Sequence, residues 1–325
     1  MKKLFLSLVA LIMAAMSYAQ HTLVATLSHG DDISMYYGSY ALQQAHKAAA
    51  DGDIINLSAG AFQAVNITKA LTIRGAGADG EATTYIVNDF NINIPTTVTQ
   101  RLSFEGVRLS STTTVEGTLT NALFMKTIID RIHIDYSDKM NNGQFVNCRV
   151  YSVEYYGNST AQFVNCEVKD WLGDAYATAA ATFLNCNIRP YASCYANYLH
   201  NVQLINCIIF NDSNYYYEAL PSTASAVNCI AIGKGNDLIF DLLAAIPNCW
   251  TADWDIFKEG HGWDDLTDEA KEKYIGTDGT PVGYYGGMLP FNYTPTYPRI
   301  TKMNVANKTT ADGKLSVEIE VSAVE

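Results

Sequence analysis

The chain has 325 residues, of which 48% are hydrophobic and 17% are charged, and this composition excludes a disordered protein. Its 33 acidic and 21 basic residues give a net charge of −12. A chain of this sign repels the phosphates of nucleic acids, so we expect a folded protein that does not bind them.

The first 19 residues have the three parts of a secretory signal peptide. Lys2 and Lys3 supply a positive start, residues 4–16 an apolar stretch and residues 17–19 a small-x-small cleavage site. The apolar stretch is shorter than the roughly 20 residues that a membrane-spanning helix requires. We therefore expect an exported protein without a membrane span, located outside the cell, at its surface or in the periplasm.

The following segments predict how the fold begins. Residues 20–37 are expected to form an extended lead-in, and residues 38–50 carry Ala, Leu and Gln at helical spacing. We expect this helix to cover the open edges of the first strands. Directly after this segment come residues 51–60 (DGDIINLSAG) and, further on, residues 71–77 (LTIRGAG).

A repeat dominates the middle of the chain. Six Asn-Cys dipeptides recur at spacings of 18, 20, 21, 22 and 20 residues, and a period near 20 residues is typical of a solenoid. Apolar residues on both sides of each dipeptide predict two short strands joined by a bend. Asn and Gly tolerate the left-handed backbone of such a bend, and stacked Asn amides can bond from rung to rung. Gly106 with Val107 predicts an earlier rung, and residues 129–134 a less regular one.

The closing motif at residues 278–287 (DGTPVGYYGG) completes a resemblance. Together with residues 51–60 and 71–77, it resembles the ends of a secreted bacterial right-handed parallel β-helix of the pectin-lyase-like superfamily. The resemblance covers roughly residues 38–290. It implies an all-β solenoid with an N-terminal helical cap and an irregular C-terminal cap. It implies no particular activity, because this superfamily contains lyases, hydrolases and adhesins.

The segment after the coil, residues 291–325, is predicted to be a linker followed by a tail strand. Prolines at positions 290, 295 and 298 mark the linker, and residues 314–321 (KLSVEIEV) alternate between polar and apolar. A single strand is not stable by itself. We therefore expect the tail to pair with another part of the chain or with a partner.

The cysteines of the repeat are expected to lie in one column inside the coil. A redox or metal site is the functional alternative to a column of small buried hydrophobic residues. Zinc-type sites need a local C-x-x-C spacing, which the sequence lacks. We therefore predict no metal and no other cofactor, and only Cys194 lies off the column.

Tyrosines supply the candidate binding residues. Ten of the 21 lie between positions 151 and 217, and those at 155, 176, 195 and 216 follow the rung period. Inside the coil they would fill its core, whereas outside they would form a strip that stacks on sugar rings. Because strand neighbours alternate in direction, some of the rings must point outward. The candidate ligand-binding residues are Tyr155, Tyr156, Trp171, Tyr176, Tyr195, Tyr216 and Tyr217.

No complete set of catalytic residues is found. A calcium-dependent polysaccharide lyase acting on acidic glycans is one alternative, with Arg149, Lys169 or Arg189 as base and Asp170 and Asp174 near the ion. Equally, these cations fit the solvated edge of a sheet. The leading hypothesis is a non-catalytic exported protein that binds a polysaccharide or another surface partner through an aromatic and acidic flank. A structural rod or adhesin is a further alternative.

Overall fold

Strands are the main secondary structure of the described residues in the computed structural model. The structure describes residues 23–155, 158–173, 179–190, 201–210, 224–233, 246–260, 265–305, 309–310, 312–314 and 316–322. Stacked parallel strands form a β-solenoid of about seven turns in this part of the chain. The predicted all-β solenoid is therefore confirmed. Among the described residues, no helix is long and apolar enough to cross a membrane.

The first sheet opens with an antiparallel hairpin, β1 (Val24–His29) and β2 (Asp32–Tyr37). The next strand to pair with β1 is the first strand of the coil, so β1 occupies the sheet edge that the helix was expected to cover. That helix is present as α1 (Ala41–Ala48) and buries Leu42 in the core. The parallel strands of this sheet are β3 (Ile54–Leu57), β5 (Thr72–Arg74), β8 (Ser103–Glu105), β11 (Leu123–Met125), β14 (Gly143–Val146), β17 (Thr160–Val164), β19 (Ala180–Leu184), β21 (Val202–Ile205) and β23 (Ser225–Val227).

The second sheet consists of the strands that follow each bend. Its main path consists of β4 (Gly60–Gln63), β6 (Thr84–Val87), β9 (Arg108–Val115), β12 (Ile128–Ile134), β15 (Arg149–Val150), β18 (Glu167–Gly173), β20 (Asn187–Pro190), β22 (Ile208–Phe210), β24 (Ile230–Ile232) and β25 (Trp250–Ala252). Two strands join beside this path, β7 (Phe90–Ile92) and β16 (Val153–Tyr155). A short parallel pair, β10 (Thr118–Thr120) and β13 (Lys139–Asn141), lies apart from both sheets.

The interior of the coil holds an aromatic stack beside a file of thiols. Five Phe rings from Phe104 to Phe183 stack at centroid distances between 4.4 and 5.6 Å. All six cysteines of the repeat are buried and free. The amide N of Cys148 donates to Sγ of Cys166 at 3.4 Å, and a similar contact joins several other neighbours. The predicted inward column of thiols is therefore confirmed.

The bends between the two sheets have the predicted backbone conformation. Each Asn of the six dipeptides has a φ between 49° and 63°, and Gly106 has a φ of 62°. The prediction for residues 129–134 is wrong, because Phe124 aligns with Phe104 and the bend falls at Lys126, whose φ is 52°. Neither Asn nor Gly marks this bend, so the repeat pattern could not locate it.

The segment after the last rung covers part of the coil from outside. A 3₁₀ turn (Trp254–Ile256) and α2 (Asp268–Lys273) lie within this segment. It forms a second apolar cluster on the outer face of the second sheet. The buried members are Ile208, Phe210, Ile230, Ile232, Ala252, Phe257, Leu266, Ala270, Tyr274 and Val282.

Residues 275–297, called the strap below, run along the bends of the coil. At one end, Nδ2 of Asn228 donates to the carbonyl of Ile275 at 2.9 Å. At the other, the hydroxyl of Tyr297 donates to the carbonyl of Gly75 at 2.9 Å. The strap thus connects late rungs to early ones, although its last part, residues 291–297, lies in the segment predicted as a linker.

The predicted tail strand is present and has a partner. Strand β27 (Val317–Ser322) pairs antiparallel with β26 (Arg299–Val305), directly after the strap. Val317, Ile319 and Val321 are each at least half exposed. The tail therefore forms a hairpin with an exposed apolar row.

Candidate functional site

The outer face of the second sheet changes character along the coil. In β18 and β20 polar residues alternate with buried Val168 and Ile188, whereas β22 and β24 are apolar on both faces. A strand that is buried on both faces has a sequence of consecutive apolar residues. The earlier strands carry a charged face, which the strap covers in part, since Cζ of Arg149 lies 5.6 Å over the ring of Tyr293. The charged face consists of Arg108, Asp130, Arg149, Tyr151, Glu167, Lys169 and Arg189.

Glu167 is the centre of the charged face. Its side chain is only 5% exposed, and its two carboxylate oxygens pair with Nε of Arg149 and with Nζ of Lys169, the latter at 3.7 Å. Arg149 aligns with Glu167 in the sheet, because 18 residues separate the first two Asn-Cys dipeptides. The three cations Arg149, Lys169 and Arg189 thus share the outer face, as predicted. Arg149, however, aligns with Glu167 and not with Lys169.

The charge on Arg149 is secured by its surroundings. Burial opposes this charge, but Tyr293 and Glu167 outweigh it and raise the pKa of the guanidinium above its ordinary value. A guanidinium that keeps its proton cannot act as a general base. Arg149 is therefore suited to holding a ligand oxygen or a neighbouring carboxylate.

Aromatic rings fix the other cations of the charged face. The ring of Tyr151 lies 5.8 Å from Cζ of Arg108 and 4.8 Å from Nζ of Lys169. Cζ of Arg189 lies 4.8 Å over the ring of Phe210. Such cation–π contacts stabilise the positions of long side chains. The charged face is consequently a preorganised surface of donors and acceptors.

A cavity lies between the second sheet and the segment that covers it. Its volume is about 450 Å³, and its walls come from β20 and β22, from residues near α2 and from the strap. Asp265 in this wall bonds Lys271 at 2.6 Å and Lys258 at 3.2 Å. Partial burial opposes ionisation of Asp265, but these lysines outweigh it and lower the pKa of the carboxyl. The ring of Tyr285, 44% exposed, stands at the same wall.

The predicted aromatic residues are only partly within the described chain. Tyr155 and Trp171 lie in β16 and β18, where Val153 aligns with Trp171 and Tyr155 with Gly173. Their side chains lie outside the described part of the structure, as does that of Asp170. Whether the column of tyrosines faces in or out therefore stays a prediction. The candidates wholly outside the described residues are Tyr156, Asp174, Tyr176, Tyr195, Tyr216 and Tyr217.

Comparisons with known proteins leave the family open. No family model, curated protein or solved structure matches this chain. The relationship to the pectin-lyase-like superfamily therefore stays a prediction. Within the described ranges no three His, Cys, Asp or Glu side chains group as a metal site.

Sequence reasoning missed the cavity and the central role of Glu167. The cavity combines residues as distant as Asn187 and Tyr285, and no local pattern connects them. One signal was present, since residues 208–210 (IIF) and 230–232 (IAI) are apolar throughout. Such runs indicate that the second sheet is covered there.

Proposed function

We propose that this protein is an exported, non-catalytic β-solenoid that binds a polysaccharide at the cell surface. One observation carries the proposal: Arg149 and Lys169, two of the three candidates for a lyase base, both pair with the buried carboxylate of Glu167. A base must accept a proton from its substrate. Cations held in this way are instead suited to charge-assisted hydrogen bonds with a ligand.

The position of the aromatic segments supports the same function. Strands β16 and β18 lead directly from the charged face into the Tyr-rich connections between residues 151 and 217. Sugar-binding surfaces combine a few oriented polar groups with apolar rings, because a sugar ring has both hydroxyl edges and C–H faces. The charged face and the neighbouring tyrosines would supply both parts. The signal peptide predicted for residues 1–19 fits a ligand outside the cell.

The test measures retention of the protein by glycans. Affinity electrophoresis of the full chain is run through gels that contain neutral or acidic polysaccharides, with and without calcium. We expect Tyr156→Ala and Tyr217→Ala each to raise the Kd about tenfold. The reason is that a ring stacked on an aromatic side chain contributes about 1–3 kcal/mol to binding. Tyr136→Ala is the matched control, because Tyr136 is 63% exposed and lies in another connection.

The same experiment can contradict the proposal. Release of unsaturated uronate, seen as new ultraviolet absorbance, would establish the lyase in its place. Unchanged retention of both tyrosine variants would remove the aromatic binding surface. Urea midpoints equal to that of the parent protein show that the variants remain folded.

A further inference from the structure

The outer face of the first sheet carries no charged side chain on six consecutive strands, from β11 to β23. Two columns of aligned residues form this uncharged face. Both columns follow from the strand register, and every member is half-buried or exposed. The first column is Leu123, Gln144, Gln162, Thr182, Gln203 and Ser225, and the second is Met125, Val146, Val164, Leu184, Ile205 and Val227.

Charges bound this face at its early end. In the two preceding rungs the second column, which begins at Met125, continues with Glu105 and Arg74. These two side chains pair at 2.8 Å. Arg101 reaches the first glutamine, donating to Oε1 of Gln144 at 2.7 Å. Beyond this point the columns contain only amides, hydroxyls and aliphatic groups, in a chain whose net charge is −12.

The apolar column lies on the outer face of the sheet, where its members are partly exposed. Val146, Val164, Leu184 and Ile205 belong to neither of the two apolar clusters of the protein. Their neighbours Phe145, Phe163, Phe183 and Leu204 point inward and are fully buried. A contiguous row of outward aliphatic side chains can pack against the apolar face of a ligand.

We propose that the uncharged face binds a neutral polysaccharide lying along the axis of the coil. A sugar chain presents hydroxyls at its edge, which fit the amide column, and C–H groups on its face, which fit the aliphatic column. Beyond Gln144, where Arg101 contacts the face, an acidic glycan would find no cation in the two columns and would be repelled by the acidic chain. The inference rests on the proposed function, to which it adds a second surface and the class of glycan.

The size of the face favours this ligand over a second copy of the chain. Six rungs at about 4.8 Å give a length of roughly 25 Å, and two columns give a width of roughly 10 Å. The resulting area of about 250 Å² is well below the roughly 800 Å² per partner of a stable protein interface. A single polysaccharide chain is narrow enough to use the full length of the face.

The test adds charge to the face without changing its shape. Gln162→Glu with Gln203→Glu replaces two exposed amides by carboxylates of nearly the same size. Gln100→Glu adds the same group at an exposed position outside the face. Affinity electrophoresis with hydroxyethylcellulose should show a Kd at least tenfold higher for the double variant and an unchanged Kd for Gln100→Glu.

Two further comparisons make the outcome decisive. Gln162→Asn with Gln203→Asn stays neutral and should keep most of the affinity, which excludes a loss caused by misfolding. If the double Glu variant binds the neutral glycan normally while Tyr217→Ala does not, the uncharged face is refuted and the proposed function stands. If the parent protein is retained by polygalacturonate only, the neutral ligand is refuted. Retention by no glycan would refute both proposals.

Discussion

At the scale of single residues, the bend asparagines serve the backbone and the strap together. Asn165 has a φ of 50°, and its Nδ2 donates to the carbonyls of Tyr284 at 2.9 Å and Gly286 at 2.6 Å. A rung-to-rung amide bond, as predicted, joins Nδ2 of Asn206 to Oδ1 of Asn185 at 3.2 Å. The amide of Asn165 is thus used mainly to satisfy carbonyls that would otherwise be buried without donors.

Replacement of Asn165 separates these two effects. Asn165→Ala should lower the free energy of unfolding by about 3 kcal/mol, from the lost bonds and from about 1 kcal/mol for a left-handed alanine. Asn165→Gly keeps the backbone relaxed and should cost about 2 kcal/mol. Asn248→Ala is the control, because Asn248 shares the conformation, with a φ of 63°, and is exposed. Equal losses for Asn165→Ala and Asn248→Ala in urea unfolding would contradict a role for the amide.

His46 predicts a specific loss of stability in acid. Its Nε2 accepts from the amide N of Thr68 at 3.3 Å, so the ring is neutral in the folded protein. Burial, assisted by Lys69, lowers the pKa of His46 to about 4. The unfolded chain binds this proton near pH 6.5, so stability falls as the pH drops from 6.5 toward 4.

The variant His46→Gln keeps an acceptor for the amide of Thr68 and cannot titrate. Between pH 7 and pH 5, the parent protein should lose about 2 kcal/mol more stability than His46→Gln, since one pKa unit corresponds to about 1.4 kcal/mol. Urea unfolding at the two pH values measures this difference. Parallel losses in both proteins would mean that His46 is already protonated in the fold.

At the scale of elements, the strap depends on close backbone contacts. A Cβ atom on Gly286 would lie 1.7 Å from the carbonyl oxygen of Pro281 and 3.1 Å from Nδ2 of Asn185. The neighbouring Gly283 has a φ of 87°, and a Cβ atom there would lie 2.7 Å from Cδ1 of Ile208. Glycines in this segment therefore allow the strap to fold tightly against the bends.

Gly286→Ala should loosen the strap without affecting the interior stacks. We expect a cost of about 2–3 kcal/mol, since overpacking of this kind displaces backbone. Gly279→Ala is the control for backbone strain alone: unlike Gly286, Gly279 has a positive φ, of 78°, and it has open space around it, so it should cost about 1 kcal/mol. Limited proteolysis measures how readily the strap detaches from the coil, because a detached strap is cleaved faster. Equal cleavage rates in the two variants would show that the close contact at Gly286 does not hold the strap in place.

The sequence predicted those elements that repeat and failed where the repeat ends. Phe, Asn and Cys recur because every rung needs a filling ring, a left-handed bend and a small inward side chain, so their columns could be read directly. The bend at Lys126 lacks the usual residue, and its rung was misplaced. The motif at residues 278–287 indicated a closing segment, but the strap has no period and its bonds connect positions as far apart as Asn165 and Tyr284. Its course along the bends could therefore not be predicted.

At the scale of the whole molecule, the file of thiols reports how the coil opens. In a solenoid each rung contacts only its neighbours, so the ends should open more readily than the centre. The strap adds contacts between distant rungs, from Asn228 to Gly75. Cys249, 9% exposed, lies in the last rung, whereas Cys166 is fully buried in the middle.

Thiol labelling can therefore follow opening rung by rung. Burial raises the pKa of the Cys148 thiol well above its ordinary value, so reaction requires opening of the coil. In a Cys194→Ser background, which removes the thiol outside the column, we expect Cys249 to react first and Cys166 at least tenfold more slowly. Mass spectrometry of peptides gives each rate.

The strap makes a second prediction for the same measurement. If it ties the central rungs together, Gly286→Ala should accelerate labelling of Cys166 more than that of Cys249, because only the central bends lose a partner. Gly279→Ala should leave the ratio of the two rates unchanged. A single common rate for all six thiols would instead mean that the coil opens as one cooperative unit, with the strap contributing nothing to the order of opening.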